Sequence, residues 1–171
     1  QLDYANKRIK SKGLSDKVNL KLQDYRDETG VYDGVASIEM FEAVGEKYWP
    51  VYFDKIKQCL KPGKQATLQI ITIQDARWEV YRKSVDFIQK YIFPGGMLPS
   101  PSVLRKEVHK AGLSVQHSIE FGKSYSQTLR RWFEVFNNKW DNISAMGFDD
   151  RFRRMWNFCL LYTSPSPRDT G

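Results

Sequence analysis

Two carboxylates, Glu39 and Glu42, close a short apolar run, Val35-Ala36-Ser37-Ile38-Glu39-Met40-Phe41-Glu42-Ala43-Val44-Gly45. An acid framed by Phe41 and Val44 loses hydration, so it needs a hydrogen-bond partner or a chemical task such as steering a proton. An apolar run that breaks into acids is also how a buried strand delivers side chains to a loop. Parallel α/β sheets keep their sites in such loops, at the C-terminal ends of the strands. The bland alternative is a carboxylate that caps the next helix or pairs with a Lys or Arg.

Little else in the chain offers chemistry of its own. His109 and His117 are the only histidines, and Cys59 and Cys159 the only cysteines. Their spacing matches no zinc site, so no metal is expected. Cys59 has no partner outside the C-terminal tail, which fits a reducing cytoplasm. The net charge of +7 and pI near 9.4 ask for an anionic partner: nucleic acid, acidic lipid headgroups or an anionic cofactor. The basic residues gather at Lys7, Arg8, Lys10 and Lys12, and again at Arg151, Arg153 and Arg154. They follow no nucleic-acid-binding motif, so no nucleic acid is expected, and solvated helix faces are the plainer reading. With 171 residues, 41% of them hydrophobic, the chain makes one globular domain or most of one. No apolar run approaches the roughly 20 residues of a membrane span.

These residues must be positioned by regular elements. Leu2, Ala5 and Ile9 read as an amphipathic helix stopped at Gly13. Val18, Leu20 and Leu22 alternate with polar residues, predicting a strand that ends at Asp24-Tyr25-Arg26-Asp27. A strand around Val35–Ile38 follows. Tyr48, Tyr52, Ile56 and Leu60 keep helical spacing up to Pro62-Gly63. Ala66 to Ile73 predicts a central strand. Asp75 is placed to cap a helix running through Trp78, Tyr81, Val85 and Ile88. Phe93-Pro94-Gly95-Gly96-Met97-Leu98-Pro99 is a rigid loop. Ser100-Pro101 opens a short helix that ends at Gly112, and Val115–Phe121 is strand-like. Tyr125, Leu129, Trp132, Phe133, Phe136 and Trp140 form one aromatic helix face, and Phe148 to Trp156 begin a last helix. The order predicts an α/β sheet with extra helices on one side.

Both ends invite an expectation. The chain opens at Gln1, in mid-helix, and the first βαβ unit, with its glycine-rich turn, is expected to lie outside it. The tail from Cys159 back-translates to a string resembling the transposase adapter of sequencing libraries. Residues 159–171 are accordingly read as adapter read-through.

Gln23-Asp24-Tyr25-Arg26-Asp27, the Ser37–Glu42 stretch, Lys61-Pro62-Gly63, Leu68-Gln69, Tyr91–Ser100, and Phe121-Gly122 followed by Tyr125 and Trp132-Phe133 occur in that order. Together they resemble the cyclopropane-fatty-acyl-phospholipid synthase and mycolic acid cyclopropane synthase family of S-adenosylmethionine-dependent methyltransferases. The resemblance covers nearly all of residues 1–158. It implies a Rossmann-like class I methyltransferase sheet with a helical cover over a lipid pocket, here without the first βαβ unit and the last strand. It also implies an enzyme that moves a methyl group from S-adenosyl-L-methionine to a cis double bond of an unsaturated phospholipid. A carbocation follows, is deprotonated by bound bicarbonate, and closes to a cyclopropane.

Carried across by resemblance, Glu42 orients the bicarbonate, the Tyr125 hydroxyl contacts it, and Ile71 offers backbone. Gln69 stands where some members have histidine; it can hydrogen-bond the anion but does not titrate. The family's cysteine falls near Thr163. Asp24, Tyr25 and Arg26 match the adenine-contacting loop, and Gln1 a residue beyond the ribose-binding strand. Phe41, Trp132 and Phe133 are expected to line the pocket, with Trp49, Phe93, Met97 and Leu98 touching lipid. The implied setting is cytoplasmic and peripheral, at the inner membrane face, with a homodimer possible. The 171-residue chain by itself is expected to be inactive. Two other readings stay open: C- or N-methylation of a different lipid or a small amine, for which Ala43 after Glu42 leaves room, and a non-enzymatic membrane-binding module.

Overall fold

The computed structural model describes residues 1–162. In chain order the elements are α1 (Leu2–Ser11), β1 (Tyr32–Ile38), α2 (Trp49–Cys59), β2 (Leu60–Gln69), α3 (Trp78–Tyr81), α4 (Phe87–Tyr91), α5 (Pro101–Lys110), α6 (Gly122–Asn138), α7 (Trp140–Ser144) and α8 (Asp150–Tyr162). They divide into two compact units, residues 1–83 with 95–114, and residues 84–94 with 115 onward.

In the first unit, β1 and β2 pair in parallel, in register from Val35 against Ala66 to Ile38 against Gln69. A parallel pair needs a crossover, and α2 supplies it. Pro50 sits in the first turn of α2, where its missing N–H is no loss. The spacing of Trp49, Tyr52, Phe53 and Ile56 turns one face inward, and all four are buried. Phe41, fully buried, is their centre, with ring centroids 5.1 Å from Trp49, 4.9 Å from Tyr52 and 5.3 Å from Phe53. Trp78 of α3 and Val108 of α5 close the same core.

In the second unit α6 packs on α8. The Asn137 and Asn157 side-chain amides exchange hydrogen bonds of 2.8 and 3.1 Å, and the Arg153 Nε donates to Asn137 Oδ1 at 3.2 Å. Leu129, Trp140, Cys159 and Leu160 are buried among its described residues. Helix α8 runs through the 158/159 position without a break, and Thr163 with the rest of the tail lies outside the described residues.

Six expectations are corrected. Residues 18–23 form no strand, and neither do residues 115–121, because alternation makes a strand only beside a ladder partner and none adjoins them among the described residues. β2 starts at Leu60, directly after the helix, and a register irregularity between Tyr32 and Gly34 absorbs Pro62-Gly63. It ends at Gln69, and Ile73 instead donates its N–H to the Pro99 carbonyl at 3.0 Å. The helix expected through Ile88 is two short ones, the second opened by an Asp86–Gln89 capping box. Asp75 does not cap its helix; its carboxylate accepts from the Ser102 N–H at 3.1 Å and the Ser102 hydroxyl at 2.7 Å. Trp49, expected against lipid, is 1% exposed. Among the described residues no helix is long and apolar enough to cross a membrane.

Candidate active site

Where β1 ends, the chain turns sharply, and Glu39 takes φ of +49°, the one non-glycine residue with positive φ among those described. Its N–H donates to the Gln69 carbonyl at 2.9 Å, and the Gln69 Nε2 donates to its Oε1 at 2.8 Å. The next turn, Phe41–Ala43, anchors itself by burying Phe41 and so aims Glu42 at the ends of the strands. Glu42 Oε1 accepts from the Ile71 N–H at 2.6 Å. Glu42 Oε2 is buried with no hydrogen-bond partner among the described residues. The Glu42 carbonyl accepts from the Met97 N–H at 2.9 Å, which ties the Gly95-Gly96-Met97 loop to the turn. Gly45, at φ +75°, lets the chain reverse there into α2. Three segments thus meet at the C-terminal edge of the parallel pair, the usual place for a site in such sheets.

Behind the turn, the Tyr52 hydroxyl is 2.7 Å from Ser37 Oγ. Burial pushes the Tyr52 phenol above its ordinary range, and the negative charge of Glu42 pushes the same way. The Tyr52 ring meets Tyr25 edge-on at 5.8 Å. Packing therefore links the 24–26 loop to the Glu42 turn.

That loop is differently built. Asp24 caps the Tyr25–Asp27 turn through the Arg26 N–H at 2.9 Å, and grips the Arg26 guanidinium at 3.0 and 2.6 Å. These bonds hold the Asp24 carboxyl at about 2, below its ordinary 3.8, and raise Arg26 further. An open cleft of about 490 Å³ beside the loop is lined by Asn19, Lys21, Gln23, Asp24, Tyr25, Glu28 and Tyr32.

The structure brings Glu42, Gln69 and Ile71 to one edge, and Asp24, Tyr25 and Arg26 to one loop. Gln1 is exposed at the start of α1 and is not among the residues lining that cleft. Tyr125 belongs to the second unit, on α6, half-buried and edge-on to Trp132 at 6.4 Å. Phe41 is core rather than pocket wall, whereas Trp132 is half-exposed. No group of three metal-binding side chains occurs among the described residues. Sequence reasoning passed over the Glu39–Gln69 and Tyr52–Ser37 pairs, since a contact across 30 or 15 positions leaves no local pattern.

The profile of the family described as "Mycolic acid cyclopropane synthetase" matches residues 1–169. The chain belongs to this family. Among its relatives is the tuberculostearic acid methyltransferase UfaA1 of Mycobacterium tuberculosis, 39% identical over 164 residues, which are 95% of this chain and 38% of that protein. Another is the cyclopropane-fatty-acyl-phospholipid synthase of Escherichia coli K12, 35% identical over 144 residues, 84% of this chain and 36% of the relative. The chain thus spans under two fifths of either relative. The solved mycolic acid cyclopropane synthase CmaA1, complexed with SAH and CTAB, superposes with a TM-score of 0.73 at 20% identity, over 92% of this chain and 62% of that one. The fold is therefore the Rossmann-like class I methyltransferase fold of these synthases, of which the β1–α2–β2 unit is a part.

Proposed function

We propose that residues 1–158 serve a methyltransferase that moves a methyl group from S-adenosyl-L-methionine to a cis double bond of an unsaturated phospholipid, and that the product is a cyclopropane. The observation that carries this reading is Glu42. One oxygen is fixed at 2.6 Å while the other is buried without a partner among the described residues. An acceptor left in that state costs about 1–3 kcal/mol, more when charged, so a ligand that brings its own donor is favoured. Bicarbonate fits that requirement, having one hydroxyl to offer Glu42 Oε2, and when bound it supplies a base for the proton that the reacting cation must lose.

Each residue then has a task. The Ile71 N–H holds the Glu42 carboxylate in one rotamer, so the backbone at Ile71 orients the acid. Gln69 adds a second hydrogen-bonding group at the strand edge. The Tyr25 ring offers a stacking face for adenine, on a loop that Asp24 and Arg26 stiffen; for Gln1, the family resemblance alone supports a place beyond the ribose-binding strand. The methyl donor supplies an electrophilic carbon when bound; the protein's part is to exclude water and keep the proton acceptor in place. The basic surface, with the exposed Phe93, suits peripheral binding to anionic membrane at the cytoplasmic face.

A second reading is favoured by the name of the 39% identical relative, a methyltransferase: methylation without ring closure. The two share the cation and differ in which proton is lost. The protein that carries this chain, given S-adenosylmethionine and vesicles of cis-unsaturated phospholipid, separates them by proton NMR of the acyl chains. Upfield ring protons with loss of vinyl signal are the expected result. Retained unsaturation with a new methyl or methylene establishes the second reading, and unchanged lipid overturns both.

A further inference from the structure

We infer that Glu39 is a positioning residue: through its pairing with Gln69 it fixes which way the Gln69 amide faces, and so which hydrogen-bonding group β2 presents to the ligand beside Glu42. This deepens the reading just proposed and rests on it for the identity of the ligand.

A glutamine amide can present its carbonyl or its NH2 group to a given point, and the two faces have nearly the same shape. Here the choice is made by charge. The Glu39 Oε1 lies 2.8 Å from the Gln69 Nε2. A flipped amide would set its carbonyl oxygen against a carboxylate, acceptor on acceptor, and lose that bond. The Gln69 backbone is fixed by the same partner, since its carbonyl accepts from the Glu39 N–H at 2.9 Å. Gln69 is thus gripped at both ends by one residue. Two positions further on, Ile71 gives its N–H to Glu42 at 2.6 Å. The orientation of the amide and that of the acid are therefore set within one short run of β2 and its extension.

The backbone of Glu39 supports the same conclusion. A φ of +49° is uncommon for a non-glycine residue, and glycine would adopt it without strain. At this position glycine would relieve the backbone, and what the Glu39 side chain adds instead is its bond to the Gln69 amide. Its side chain makes one hydrogen bond among the described residues, the one to Gln69.

The test separates backbone fit from amide positioning. In Glu39→Gly the backbone is relieved and the carboxylate removed, while Glu39→Gln keeps an acceptor for the amide. For the protein that carries this chain, Glu39→Gly should melt at or above the wild-type temperature, yet lose about tenfold or more in kcat with KM for S-adenosylmethionine unchanged. Glu39→Gln should recover most of that loss. A readout that needs no turnover is the side-chain amide NMR signal of Gln69, assigned by its disappearance in Gln69→Leu. It should be shifted and slow to exchange in wild type, and should move to the free-glutamine position in Glu39→Gly. A Glu39→Gly protein with wild-type kcat, or an amide signal indifferent to Glu39, overturns the inference. A wild-type protein that shows the protected amide but leaves lipid unchanged overturns the functional reading alone.

Discussion

Asp24 and Glu42 are both carboxylates at turns that follow apolar sequence, yet the fold treats them in opposite ways. Asp24 is exposed and fully occupied: both its oxygens hold the Arg26 guanidinium, and one also takes the Arg26 N–H. Glu42 has one oxygen occupied and the other buried and open. A saturated surface carboxylate stiffens a loop; a half-satisfied one shut from water stores a cost that a ligand can relieve. On the reading proposed above, the difference gives the first a structural task and the second a chemical one.

Substitution of Glu42 gives the largest effect. Glu42→Gln keeps an oxygen for the Ile71 N–H but removes the charge. Activity on unsaturated phospholipid should fall by about 10²–10⁴-fold, the range spanned by losing a proton-handling group. The melting temperature should hold or rise, because a neutral amide is cheaper to bury than a carboxylate. Loss of activity accompanied by a collapse in stability would make Glu42 structural, and the contrast with Asp24 would vanish. Phe41→Ala tests the platform beneath the acid. Its ring touches three aromatic neighbours and is wholly buried, so its removal should cost about 3–5 kcal/mol in denaturant unfolding.

How much of this arrangement the sequence disclosed depended on whether the cause was local. The faces of α2, α5 and α6 follow from spacing and caps, and Ser100-Pro101 opens α5 as read. The Asp86–Gln89 capping box is equally local, and it interrupts the longer apolar stripe that predicts a single helix. That residues 18–23 and 115–121 form no strand was not legible, since alternation names a face but a strand also needs a neighbour. Of the site, Glu42 stood out because an acid between Phe41 and Val44 is anomalous by itself. That Glu42 would be half-satisfied, and that Glu39 would clasp Gln69, depends on which residue of β2 comes level with the end of β1, a matter of register that a bulge near Tyr32 adjusts.

Between the two loops lies the Tyr52–Ser37 bond, and breaking it asks whether they are mechanically joined. Ser37→Ala strands a phenol that is 1% exposed, which should cost about 1–3 kcal/mol of stability. Tyr52→Phe placed in the same background should return most of that loss, because the orphaned hydroxyl goes with it. Failure to recover it in the double variant would mean that Ser37 acts through β1 and not through Tyr52.

The smallest effect is expected at Asp24, and it sharpens the comparison by pH. The Arg26 bonds lower its folded value to about 2 from an ordinary 3.8. A depressed carboxyl adds stability that is complete above the unfolded value and is lost as pH falls through the folded one. The Asp24 carboxyl carbon, followed by NMR, should therefore titrate near 2, and the loop should loosen between about pH 4 and pH 2. In Arg26→Ala the midpoint should move back towards 3.8 and this share of the acid loss should disappear. Surface ion pairs contribute little, so activity near neutral pH should change far less than in Glu42→Gln. A titration midpoint indifferent to Arg26 would show that Asp24 is held by the turn rather than by the guanidinium, and would remove the reason for calling it saturated.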